Sequence, residues 1–228
     1  NLHLPLLVMI PMENLSPENV EKRFSEDGFL AFEDAALGDR VKSRSKVRFR
    51  PEDVDCLEFC KQNVFQDDRV QGVLGALFPW AALIWYEIYL CGPTNTEINA
   101  ILTGQIRHMN AVVVQLCGPQ SKVIIYKDSH LQPFHGAPGS AGLLEIAGAQ
   151  VRKAGCEPVE IILQHGGLII FDARSVFTLV KGFVMQHLFI SEEQAKTWPR
   201  RLLPNKKAET KVLEMKTAGM GTHFTFEN

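Results

Sequence analysis

A mainly β chain with its helices gathered at the N-terminal side, a jelly roll under a helical cover, is the fold class this sequence predicts. Three observations lead there. From Ala111 onward, short apolar runs recur between Gly- and Pro-rich breaks, the pattern of strands and turns. Ahead of that region the chain carries helix signals instead: capping residues, then apolar positions at helical spacing. At 228 residues, 46% of them hydrophobic, the chain can bury one substantial core but not two comfortable domains. We therefore expect a single domain over 1–228, with a helical part over about 13–91, strands over about 98–190 and a tail over 191–228.

Taken in order, the apolar opening Leu4 to Met12 reads as a packed strand. It lacks the basic residues and small-residue cleavage pattern of a secretory leader and holds Pro5 and Pro11. Ser16-Pro17-Glu18-Asn19 is a helix start: Ser16 can cap, Pro17 suits the first helical position, and Leu15 can staple against Val20. Asp27-Gly28 closes that helix. Arg40, Lys42, Arg44, Lys46, Arg48 and Arg50 then occupy every second position, so an extended Arg40–Arg50 stretch would line one face with cations. Such a face suits a phosphate, a carboxylate or an acidic partner, or serves as an edge that resists aggregation. Pro51 to Val64 reads as a helix that sets Cys56 and Cys60 one turn apart, as packing residues.

Between Val70 and Cys91 the sole charge is Glu87, nearly the length of a membrane span. Gly72, Gly75 and Pro79 interrupt the run, and Trp80, Trp85, Tyr86 and Tyr89 make its second half aromatic and amphipathic. The expectation is a buried or partner-facing helix broken near Pro79, with no membrane span. Next come strands at Ala111–Leu116 and Lys122–Tyr126, joined as a hairpin by Gly118-Pro119-Gln120-Ser121. Further strands follow at Leu143–Ile146, Val159–Leu163, Leu168–Phe171 and Phe183–Ile190. Ser191 to Trp198 reads as a short closing helix, and the rest of the tail has no clear pattern.

Charge and cysteine usage narrow the class. Lys+Arg 24 against Asp+Glu 26 gives no electrostatic case for nucleic acid. Five cysteines, odd in number and without a Cys-x-x-Cys pair, argue against a disulfide framework and a zinc ribbon, and fit a reducing, cytoplasmic setting.

Two blocks carry a resemblance. Glu18 to Phe32, ENVEKRFSEDGFLAF, is similar to the helix, DGF and strand that open phytanoyl-CoA-dioxygenase-like proteins, iron- and 2-oxoglutarate-dependent oxygenases. Asn110 to Ile190 resembles their C-terminal half. Within it, Lys127-Asp128-Ser129-His130 is similar to the family's Pro-Gly-Ser-His turn, and QHGGLIIFDAR, ending at Arg174, to the strand leading into the distal metal ligand. The wording is nearest to fungal members of natural-product pathways, meroterpenoid assembly included. The resemblance implies a double-stranded β-helix (jelly roll, cupin-like). It also implies a facial triad of His-x-Asp plus a distal His, with an Arg beyond it forking onto 2-oxoglutarate.

The residues depart from that triad. Counting from the QHGGLIIFDAR strand places Phe177 at the distal ligand, and no His-x-Asp or His-x-Glu occurs anywhere. The nearest stand-ins are His108-Met109-Asn110 and Gln105-Ile106-Arg107, and Lys181 is a weaker stand-in for the clamp. His130 reads as the structural histidine of its turn. An unorthodox set from His108, His130, His135, His165 and His187 would need ligands converging at about 2.0–2.2 Å. The expectation is a degenerate site with neither metal nor cofactor.

Three functions fit. In the first, the protein is an auxiliary, non-catalytic subunit that pairs with a catalytic Fe(II)/2-oxoglutarate dioxygenase homologue, or with itself, through Trp80–Tyr89. In the second, it is a cofactor-independent isomerase or cyclase that holds a hydrophobic small molecule, with His108, Gln115, Asp172, Arg174 and Lys181 as pocket residues. In the third, it is an active oxygenase, with Fe(II) and 2-oxoglutarate held by displaced ligands. For the pocket residues there is a structural alternative: Asp172–Arg174 as a local ion pair and Gln115 as a solvent-facing strand residue.

Overall fold

The computed structural model describes residues 15–45, 53–91, 95–103, 109–203 and 207–227. The expected strand at Leu4–Met12 and the candidate His108 lie outside the described residues.

The first helix, α1 (Pro17–Glu26), starts as its sequence dictates: the Ser16 hydroxyl accepts from the Asn19 N–H at 3.4 Å, and Pro17 takes the first position. Gly28, at φ +80°, turns the chain into β1 (Phe29–Glu33). A Cβ there would stand 2.6 Å from His130 Nδ1, so the turn has no room for a side chain. Next, α2 (Ala35–Arg44) is capped by Asp34, whose carboxylate accepts from Leu37 N–H at 2.9 Å.

This second helix corrects the reading of Arg40–Arg50 as one extended cationic face. Arg40, Lys42 and Arg44 sit on a helix, where alternate residues diverge by about 200° instead of sharing a side. Leu37 and Val41, four apart, bury against the sheet and decide the matter, because no neighbouring strand offers this segment a ladder. Arg40 Nε donates to Asn63 Oδ1 at 2.6 Å, and Arg44 lies 5.1 Å from the Phe59 ring centre. Lys46, Arg48 and Arg50 lie outside the described residues.

Gly38 lets α2 approach the His165–Gly166 turn. An added Cβ would overlap the His165 carbonyl oxygen, and a Cβ on Gly166 would lie 2.5 Å from the Gly38 Cα. Gly38→Ala is expected to lower stability by about 2–4 kcal/mol, since backbone must move on both sides. Urea unfolding of the variant checks this; a loss below about 1 kcal/mol would mean that the contact yields.

The helical part continues with α3 (Val54–Cys60), which widens into a π-turn over Lys61–Phe65, and α4 (Asp68–Leu77), capped by Asp67. Cys56 and Cys60 are buried one turn apart, and burial pushes the Cys60 thiol well up. After Pro79 the chain becomes β2 (Ala81–Cys91), a strand and not the expected helix. It pairs along its length with a later strand, and its two faces enter different cores: Leu83 and Tyr86 on one side, Ala82 and Ile84 on the other. A strand apolar on both faces has no period-two signal, so periodicity alone reads it as a buried helix.

There follow β3 (Asn99–Ala100), β4 (Ala111–Cys117), β5 (Ser121–Tyr126), β6 (Gly136–Pro138) and β7 (Leu144–Ile146). After α5 (Gly148–Lys153) come β8 (Pro158–Leu163), β9 (Gly167–Asp172) and the long β10 (Phe177–Ser191). Two facing sheets result. One runs β1-β9-β4-β10-β2, and the other runs β8-β5-β10-β3-β7-β6. β10 belongs to both: Phe177–Lys181 pair with β5, and Gly182–Ser191 with β2. The crossing falls at Gly182, φ +114°, where a Cβ would meet the Ser121 Cα at 2.9 Å.

The expected β4–β5 hairpin is not formed. β4 pairs with β9 and β10, and β5 with β8 and β10, so the Gly118–Ser121 turn carries the chain from one sheet to the other. Gln120 at φ +60° and the Ser121 hydroxyl donating to Gly118 O at 2.7 Å tighten that corner. Gly and Pro mark a reversal without saying whether the chain returns to the same sheet.

The tail, without a pattern in sequence, is ordered into α6 (Glu192–Ala195), β11 (Arg201–Leu203), α7 (Lys207–Glu214), β12 (Met220–Thr222) and β13 (Phe224–Phe226). β12 joins the edge of β2 in parallel, and β11 pairs with β13. One apolar core fills the space between the sheets and a second lies between the first sheet and the helices. The expected β fold with helical cover is therefore what the chain forms. No helix among the described residues is long and apolar enough to cross a membrane.

Candidate functional site

Residues that point between the sheets build both the floor of the barrel and its mouth. At the mouth is an open cleft of about 550 Å3, within the usual size of small-molecule sites. Ile84 of β2 and Leu188 of β10 form its floor; Ile101 and Leu102, just after β3, form one side. Trp85 and Trp198 add aromatic walls, and Arg200 and Arg201 sit at the rim. The wall from 198 to 201 is held by His223: its backbone N–H donates to Leu83 O at 2.8 Å, and its Nε2 donates to Trp198 O at 2.9 Å. That bond fixes which ring nitrogen carries the proton.

The apolar core to which the cleft floor belongs is packed. Phe177, at the start of β10, and Phe171, at the end of β9, meet with ring centres 5.3 Å apart, and neither side chain reaches solvent. Across the sheet, Phe177 pairs with Asn99 of β3 and with Ile125 of β5. Deeper down lies an amide pair: Gln186 Nε2 donates to Gln115 Oε1 at 2.8 Å, both fully buried. Gln115 in turn donates to Cys117 Sγ at 3.3 Å.

The structure separates the expected pocket residues. Gln115 is interior, not solvent-facing as its strand-residue alternative had it, because β4 is covered on both sides. Asp172 and Arg174 form a bidentate pair, Nε to Oδ1 at 2.9 Å and Nη2 to Oδ2 at 2.6 Å. They line a different cleft of about 370 Å3 between α1, α4 and the His130 turn. Lys181 is exposed beside Gln120, where β10 changes sheets. These four do not share a pocket, and the fifth, His108, is outside the described residues.

The histidines are equally dispersed. His130 is buried in its turn with Nε2 3.4 Å from Ser25 O, while the neighbouring Ser129 hydroxyl accepts from Val176 N–H at 2.9 Å and so pins the start of β10. His135 and His165 are exposed on separate turns. His187 faces the helix side of the sheet, stacked on Tyr86 at 5.9 Å between ring centres, and burial lowers its pKa to about 4. Among the described residues no three His, Cys, Asp or Glu side chains come together as a metal site.

No family model matches the sequence, and no curated protein matches it. Solved structures do match. A non-heme α-ketoglutarate-dependent carbocyclase, SnoK from nogalamycin biosynthesis, aligns with TM-score 0.54 and 12% identity over 81% of this chain and 87% of its own. The epimerase SnoN, solved with Fe3+ and α-ketoglutarate, gives TM-score 0.53 and 14% identity over 77% of this chain and 85% of its own. HygX from Streptomyces hygroscopicus, with iron bound, gives 0.52 and 12% over 94% and 97%. The chain shares the double-stranded β-helix fold of these structures. Such low identity speaks for the fold alone.

That fold implies iron and 2-oxoglutarate, and the described residues do not fit them. At the position where the resemblance puts the distal ligand stands Phe177, packed against Phe171. The connection expected to carry the first ligand pair, Ile101 to Asn110, contains no Asp or Glu. Lys181, the expected stand-in for the arginine clamp, is exposed beside Gln120, where β10 changes sheets. The surface expected to seat a catalytic partner also changes character: Trp80–Tyr89 lies largely in β2, flanked by β10 and β12, with Tyr86 2% exposed. Sequence reasoning missed the tail. Trp198-Pro199-Arg200-Arg201, an aromatic and two cations directly after the last long strand, is the signal that marked it.

Proposed function

We propose that this protein binds an apolar small molecule in the mouth of an oxygenase-type barrel and works without the facial triad of its fold relatives. The observation that carries this reading is a formed apolar cleft whose floor, Ile84 and Leu188, belongs to the same apolar core as the buried Phe171–Phe177 pair. The SnoK and SnoN structures come from nogalamycin biosynthesis, and we place this protein in natural-product chemistry of that kind. Among the described residues the cleft lining holds no histidine and no carboxylate, and these side chains are suited to binding and orienting a ligand. An isomerisation or cyclisation there would rest on templating, since Gln115, Asp172, Arg174 and Lys181 do not line it. The auxiliary role, as partner of a catalytic homologue, has lost its aromatic contact surface and is the weaker reading.

Calorimetric titration with Fe(II) under anaerobic conditions, or with Mn(II), with and without 2-oxoglutarate, tests the triad-free reading. The expected result is no stoichiometric binding at high micromolar metal and no gain from 2-oxoglutarate. Stoichiometric binding strengthened by 2-oxoglutarate would overturn it and bring back an oxygenase with displaced ligands.

A further inference from the structure

Resting on the cleft reading above, we infer that the ligand of the mouth cleft carries a carboxylate, which Arg200 and Arg201 hold at the rim while its apolar body lies on Ile84 and Leu188.

Among the described residues the lining contains two guanidinium groups and no acidic residue. A surface arginine without a carboxylate is ordinary, because water solvates it. Arg201 is in a different position: it is half-buried, and among the described residues its guanidinium makes one hydrogen bond, a long one of 3.4 Å to Tyr86 O, and no ion pair. Its guanidinium lies 5.6 Å from the Tyr86 ring centre, which steadies one face of the group and leaves edge N–H donors over. Water at the open rim solvates those donors less well than a bound carboxylate would, because an arginine fork matches a carboxylate in two charge-assisted bonds.

The rim is also built to keep these groups in place. Pro199 fixes the backbone ahead of both arginines, β11 pairs Arg201 with Phe224, and His223 ties Trp198 to the β2 edge. Two cations on a tethered wall above an apolar floor match a molecule with an acid head and a hydrocarbon body. A neutral ligand would use the floor and leave the charges unanswered.

Trp85 and Trp198 line the cleft, so intrinsic fluorescence reports occupancy. The whole chain is titrated with dodecanoate and, separately, with 1-dodecanol, both below their aggregation limits. The pair is repeated on Arg200→Gln, an exposed position whose change leaves the fold intact, and on Arg200→Gln/Arg201→Gln. We expect dodecanoate to bind at least about tenfold more tightly than dodecanol. That preference should shrink in the single variant and vanish in the double one, with dodecanol affinity unchanged. Equal affinity of acid and alcohol for the unaltered protein would overturn the carboxylate inference and leave the apolar cleft standing. A preference that survives both substitutions would likewise overturn it. Failure of both probes to bind would overturn the cleft reading itself.

Discussion

Replacing Phe177 with alanine is expected to cost about 3–5 kcal/mol of stability, and replacing it with histidine is expected to cost stability without creating an iron site. The alanine figure follows from full burial: the ring is 0% exposed, touches Phe171 of the facing sheet and stands beside Ile125 of its own, where little can relax into the space left behind. The histidine variant is the more telling of the two. An imidazole at this position would have its nitrogens among aromatic and aliphatic neighbours, and the Ile101–Asn110 connection supplies no carboxylate to complete a metal site. Thermal or urea unfolding reads the first effect and metal titration the second. If Phe177→Ala cost under about 1 kcal/mol, this ring would not be holding the barrel together. If Phe177→His bound iron, the barrel would offer a metal-binding geometry that these side chains do not indicate.

The protein is also expected to lose stability as pH falls from about 6.5 to about 4, with His187 supplying one proton's share of that loss. Burial disfavours the imidazolium in the folded chain, while in the unfolded chain the ring titrates near 6.5. Above about 6.5 both states are neutral and His187 adds no pH dependence. As pH falls below that value the unfolded chain takes up a proton that the folded chain refuses, at about 1.4 kcal/mol per pH unit. The loss amounts to roughly 3 kcal/mol by the time pH reaches about 4, where the folded form protonates as well and the dependence ends. The geometry behind the shift is specific: Nδ1 lies 3.2 Å from Val114 O, the ring stacks on Tyr86, and Nε2 is buried without a hydrogen-bond partner. The difference between stability curves of the unaltered protein and His187→Phe, taken from pH 7.5 to 4, isolates this share. Parallel curves would show that His187 is not the group responsible.

Much of the fold is legible in short stretches of sequence. Ser16-Pro17 and Asp27-Gly28 mark the ends of α1 through local chemistry, and the strands at Ala111, Lys122, Val159, Leu168 and Phe183 stand out by composition and Gly-rich boundaries. Readings failed where a local pattern fits two long-range arrangements. Arg40–Arg44 alternates in sequence but coils into α2, β2 is apolar on both faces like a buried helix, and Gly118–Ser121 reverses the chain into the other sheet.

The same division holds for the site. Sequence alone determined that no His-x-acid pair exists, because that is a matter of residue identity and short spacing, whereas Phe177 as the counterpart of the distal ligand is what the resemblance implies. Tertiary structure decided the rest. It sent Gln115 into the barrel, Asp172 and Arg174 to a cleft by α1, and Lys181 to the surface, and it brought Trp198, Arg200 and Arg201 over residues of β2 that lie more than a hundred positions earlier. Side-chain identity is local and legible, whereas the convergence of side chains depends on which strands pair and which faces they bury. Those pairings follow from the packing of the whole core and are not encoded in any one segment.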